Sequence, residues 1–145
     1  MDTAPQRHED FCPATRGCVR MQYGISVSGR GGSATPTAVA DTALLAEDRG
    51  YEFVSYGDAP ALLRELHATL AVVGDRTERI RVGPIVTNPV TRHPMVTGSA
   101  ICTLDELTGG RAFVGIATGD SGVFSLGEAP ASREAVEGTI TTLQA

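Results

Sequence analysis

An acid at position 58, a Thr-Asn pair at 87 and 88, and a Thr-Gly-Asp-Ser run at 118–121 are the residues of this chain whose types and placement could do chemistry. Each follows a short apolar run that reads as a β-strand. Asp58 comes just after residues 53–56 (FVSY). Thr87, Asn88, Arg92 and His93 close and follow residues 80–87 (IRVGPIVT). Thr118, Gly119, Asp120 and Ser121 follow residues 112–117 (AFVGIA). Ser28, Gly29 and Arg30 end a first run at 23–28 (YGISVS). In folds of alternating parallel strands and helices, the carboxyl ends of the strands share one rim, and ligands bind there. Four polar clusters at four such ends therefore mark a ligand site. Plainer roles also exist for single residues. Asp58 could complement a helix dipole, Asn88-Pro89 could be turn chemistry, and His93 could cap the helix that Pro94 opens.

The segments between the strands have helical spacing. Thr35-Pro36 is an N-cap followed by proline in the first turn, and Val39, Ala40, Ala43 and Leu44 form a stripe ended at Gly50. Leu62, Leu63, Leu66, Leu70 and Val73 form a second stripe, closed by Gly74. Val96, Ala100, Ile101, Leu104 and Leu107 form a third, stopped by Gly109-Gly110. Val136, Ile140 and Leu143 mark a last helix from near Ser132. The resulting βαβαβαβα order implies parallel strands joined by right-handed crossovers. A doubly wound sheet and a piece of a (β/α)₈ barrel both satisfy it. At 145 residues the chain falls short of the roughly 250 of a complete barrel.

Composition narrows the class. A hydrophobic content of 41% with 20% charged residues is that of a soluble globular domain. The net charge of -5 argues against nucleic acid or an anionic membrane surface as partner. No apolar run approaches the roughly 20 residues of a membrane helix. Three cysteines, Cys12, Cys18 and Cys102, give neither a disulfide framework nor the pairing of a zinc site. No metal site and a cytoplasmic location are expected. Residues 1–20 are polar and aperiodic and read as a disordered extension, leaving 21–145 as the folded domain. Cys102 reads as a small core residue, His67 as a surface or packing residue, and Arg111 as solvating the start of the fourth strand.

Two short motifs mislead. Gly119-Asp120-Ser121-Gly122 has the letters of a serine-protease nucleophile loop, but Val123-Phe124 follows it and the chain alternates helices with strands. Gly29-x-Gly31 lacks the third glycine of a dinucleotide fingerprint.

Read in order, four stretches resemble the luciferase-like monooxygenase superfamily of flavin- and deazaflavin-dependent oxidoreductases. They are AEDRGYEFVSYGDAP (46–60), RTERIRVGPIVTNPVTRHP (76–94), AICTLDELTGGRA (100–112) and GIATGDSGVFSLG (115–127). The resemblance implies the first four β/α units of a partial (β/α)₈ barrel with parallel strands. It implies FMN or coenzyme F420, a deazaflavin, as cofactor and a small organic molecule as substrate. The family's second half, which usually carries much of the cofactor phosphate site, has no counterpart. Self-association or a separate C-terminal half is the expected partner, and a non-catalytic fragment or interaction module is the alternative. By residue, the resemblance puts Asp58 near the ring, with Ala59 standing where the family commonly has His. It puts a non-prolyl cis peptide at Ile85-Val86 behind the ring, and Thr87 and Asn88 beside it. It makes Thr118, Gly119, Asp120 and Ser121 the cofactor-contacting turn. Apolar Ile85 and Val86 would back the flat ring, while polar groups meet its heterocyclic edge.

Overall fold

The structure is a computed structural model, and it describes residues 21–28 and 34–144. The expectations for residues 1–20 and for Gly29, Arg30 and Gly31 lie outside the described residues. Three strands, β1 (Gly24–Val27), β2 (Phe53–Tyr56) and β3 (Arg81–Pro84), form a parallel sheet in the order β1-β2-β3. Among the described residues, five helices accompany them: α1 (Pro36–Asp48), α2 (Leu66–Arg76), α3 (Pro94–Thr108), the single turn α4 (Ser121–Phe124) and α5 (Arg133–Gln144).

The helix ends follow local chemistry. Thr35 Oγ1 accepts the Ala38 N–H at 3.2 Å ahead of Pro36. His93 Nδ1 accepts the Met95 N–H at 3.2 Å ahead of Pro94, so His93 takes the capping role. Gly109, at φ 65°, ends α3 in the left-handed region that favours glycine. α2 starts later than its leucine stripe suggested. Residues 60–64 turn on Ala59 O, and Tyr56 Oη accepts the Arg64 N–H at 3.2 Å, so Leu62 stays exposed. Nor does Gly74 stop α2. It lies inside the helix where a Cβ would come within 2.5 Å of Thr108 Cγ2, so it is a close packing point between α2 and α3.

The core lies between the helices and one face of the sheet. Val39, Ala43, Leu70, Val73 and Leu104 close over Val54, Tyr56 and Val82. Side chains alternate along a strand, so Phe53 and Arg81 fall on the opposite face. There the Phe113 ring meets Phe53 edge-on at 5.9 Å and lies 5.5 Å beneath the Arg81 guanidinium.

The fourth apolar run does not form a regular strand. It runs parallel to β3 through two isolated bridges, Val82 to Ala112 and Thr87 to Ile116. Between these bridges the β3 side advances five residues and the other side four, so one extra residue bulges from the β3 side. The bulge spans the Ile85–Val86 peptide bond, which is cis. For the same reason β3 ends at Pro84 rather than Thr87. The run nevertheless decides the architecture. A doubly wound sheet would return its fourth strand beside β1; here it lies beside β3, and α2 packs on both α1 and α3. The fold is therefore part of a (β/α)₈ barrel.

Two corrections concern burial. Cys102 is exposed, because α3 turns Thr97, Leu104 and Thr108 inward and leaves Val96 and Leu107 outside. Arg111 does not face solvent. Its guanidinium donates to the carbonyls of Gly74, Thr77, Ile80 and Thr108 and to Thr77 Oγ1, at 2.7–3.1 Å. It thereby ties the end of α2 and the end of α3 to the start of β3.

Candidate functional site

A cavity of about 190 Å³ opens at the carboxyl ends of the strands. Asp58, Val86, Thr87, Asn88, Ala117, Thr118, Gly119 and Asp120 line it. Seven of the nine residues singled out from sequence thus meet at one place. Ile85 is 44% exposed beside it without lining it, and Ser121 stands behind, donating its hydroxyl to Asp120 Oδ1 at 3.0 Å.

Each lining residue is placed by its element. Asp58 leaves β2 through Gly57 and is buried. Its Oδ2 accepts from Thr87 Oγ1 at 2.8 Å, Thr91 Oγ1 at 3.2 Å and Arg92 Nη1 at 2.5 Å. Every side-chain hydrogen bond of Asp58 among the described residues falls on that one oxygen, so Oδ1 has no side-chain partner there, while 1% of the side chain is exposed. Asn88 is buried too. Its Oδ1 accepts the N–H groups of Val90 and Thr91 at 3.0 and 2.9 Å. This fixes the amide orientation and leaves Nδ2 with two free donor hydrogens. Gly119, at φ 93°, turns the chain where a Cβ would strike Val123 and approach Asn88. Gly122 packs α4 onto the β2 loop, where a Cβ would come within 2.4 Å of the Asp58 carbonyl oxygen.

Behind Asp58 stands a charged network that only partly surfaced in the sequence. Arg92 Nη2 donates to Glu65 Oε1 at 2.9 Å, and Glu65 Oε2 caps α2 by accepting the Ala68 N–H at 2.7 Å. Burial opposes the charge on Arg92, but the hydrogen bond and charge of Asp58, with Glu65, outweigh it and raise its pKa. Burial likewise pushes the Glu65 carboxyl up. The Ala68 and His67 N–H groups and the Arg92 charge outweigh it and hold the carboxyl below its ordinary value. His67 sits 3.5 Å from Glu65, its Nε2 buried without a partner, and burial and the Arg92 charge lower its pKa. The polar cluster after residues 80–87 pointed to Arg92. Nothing pointed to Glu65, whose role depends on how α2 packs.

The site presents apolar Val86 and Ala117, a free carboxylate oxygen and a free amide donor. That donor set suits a flat heterocycle with N–H and C=O groups on one edge.

The profile of the luciferase-like monooxygenase family matches residues 16–136. The chain is also 42% identical over 90 residues to 5,10-methylenetetrahydromethanopterin reductase of Methanopyrus kandleri, covering 61% of this chain and 25% of that protein. It is 37% identical over 98 residues to F420-dependent glucose-6-phosphate dehydrogenase of Nakamurella multipartita, covering 59% and 28%. The solved coenzyme F420 dependent tetrahydromethanopterin reductase of M. kandleri superposes with a TM-score of 0.77 at 28% identity, covering 86% of this chain and 40% of that one. The fold and rim cavity define the α/β barrel class. Within it, the chain belongs to the luciferase-like monooxygenase family. Its matches span about a quarter of the length of these curated relatives.

Proposed function

We propose that the chain carries the ring-side part of a deazaflavin site and serves hydride transfer between coenzyme F420 and a small organic substrate. The observation that carries this reading is the convergence of Asp58, Val86, Thr87, Asn88, Thr118, Gly119 and Asp120 on one cavity. Coenzyme F420 is favoured over FMN because F420-dependent enzymes stand among the relatives above 35% identity.

A bound deazaflavin ring would supply hydride chemistry to a small substrate. The chain's own residues would orient it. Val86, with Ile85 at its side, would back one ring face. Asp58 Oδ1 would accept a ring N–H, and Asn88 Nδ2 would donate to a ring carbonyl. Thr118 and Asp120 would close the rim. Fixed donors and acceptors cost no reorganisation when the ring docks, which is how such sites gain specificity.

Fluorescence titration with coenzyme F420, and in parallel with FMN, tests the reading. Saturable binding of F420 that is weakened in D58N supports it. Tighter binding of FMN would reassign the cofactor. Binding of neither would leave the family fold without a working cofactor site.

A further inference from the structure

We infer that Arg92, braced by Glu65, is a positioning residue that occupies Asp58 Oδ2 so that Oδ1 is held as the acceptor offered to the cavity. The role assigned to Oδ1 rests on the proposed ring site; the positioning itself does not.

Arg92 does not line the cavity and has only 17% of its side chain exposed, so it acts from behind Asp58. Its planar fork is held at both tips. One nitrogen donates to Asp58 Oδ2 and the other to Glu65 Oε1. Glu65 is itself anchored through its second oxygen to the first turn of α2. A continuous line of hydrogen bonds thus runs from a helix backbone to the cavity wall. A carboxylate plane turns about the last side-chain bond unless a partner fixes it, and the turn decides whether its second oxygen faces the cavity. Thr87 and Thr91 contribute neutral donors to Oδ2, and Arg92 adds the charged and geometrically fixed one. The other titratable group beside this line, His67, faces Glu65 rather than Asp58. Lysine at position 92 could reach one acidic partner but could not span both with a rigid fork.

The test has a cofactor-free arm and a binding arm. In the chain without cofactor, high-resolution crystal structures report the orientation of the Asp58 carboxylate plane about its last side-chain bond. A single orientation is expected in wild type, averaging over several in R92Q, and intermediate behaviour in R92K and E65Q. A single, wild-type orientation of the Asp58 carboxylate in folded R92Q overturns the proposal. In the binding arm, R92Q should weaken coenzyme F420 affinity about tenfold and R92K about threefold. In a D58N background R92Q should change it less than about twofold, because coupled residues are non-additive. Full additivity overturns the proposal, since Arg92 would then act independently of Asp58. Averaging in R92Q with unchanged F420 affinity would uphold the positioning and sink the ring-site reading. R92K keeps the charge and serves as the folded comparison if R92Q is unstable.

Discussion

Thr87 donates its hydroxyl to Asp58 Oδ2 at 2.8 Å, joining the end of the β3 segment to the loop after β2. Both residues are buried, so the bond is made away from bulk water. T87V keeps the shape and removes the donor. We expect a stability loss of about 1–2 kcal/mol in urea denaturation, since a hydrogen bond to a charged group is lost. T87S should retain most of that stability. Equal stability of T87V and wild type would show that the bond holds nothing in place.

Gly122 makes a different prediction. G122A must push α4 away from the Asp58 carbonyl or distort the loop, because a Cβ there would lie 2.4 Å from that oxygen. Overpacking of this kind costs about 1–3 kcal/mol, and coenzyme F420 binding should fall with it. Gly138 is the control. It sits within α5, where a Cβ meets nothing within 4 Å. G138A should raise stability by about 0.5–1 kcal/mol through helix propensity.

Glu47 predicts a pH dependence of folding. Its buried carboxylate accepts the N–H groups of Ile80, Arg79 and Glu78 at 2.7–3.1 Å. Burial pushes its pKa up, but these N–H groups and the Arg79 charge outweigh burial and lower it below the ordinary 4.5. A lowered folded-state value stabilises fully above that ordinary value. The contribution is lost as pH falls through the folded value. Wild type should therefore lose stability below about pH 4.5 more steeply than E47Q, read by denaturation from about pH 6 to pH 3. Parallel curves for the two proteins would contradict this.

Arg111 braces four backbone carbonyls. R111M keeps the apolar stem and strands those carbonyls, so we expect a loss of about 2–4 kcal/mol from several lost charged hydrogen bonds. A thermal melt within a degree or two of wild type would contradict it.

Self-association is the expectation for the open parts of the barrel. Val114, Ile116, Ile140 and Leu143 line an apolar groove, and among the described residues β1 pairs on one side only. Light scattering at rising concentration should show growing mass. A monomer throughout would contradict it.

The sequence revealed the order of the three strands and the four longer helices, the capped starts of α1 and α3, and seven residues that line the cavity. These depend on local spacing and turn chemistry. It concealed whatever depends on how elements meet. The periodicity of α3 could not show that Thr97 and Thr108 face inward rather than Val96 and Leu107, because threonine in a helix can satisfy its hydroxyl on the preceding turn, as Thr108 does at 2.7 Å. Gly74 looked like a helix stop because its packing partner Thr108 is 34 positions away. Arg111 looked solvated because its carbonyl partners are spread over three elements: the end of α2, the end of α3 and the start of β3. Glu65 carried no motif, and only the packing of α2 brings it to Arg92.

We propose that the cavity bounded by Asp58 and Asn88 holds a deazaflavin ring. The most direct measurement is a map of backbone amide shifts as coenzyme F420 is added to the chain. The largest changes should fall at Val86, Thr87, Asn88, Thr118 and Gly119, and should need a higher coenzyme concentration to appear in D58N. Changes centred on the groove around Ile140, or none at saturating coenzyme, would contradict the account.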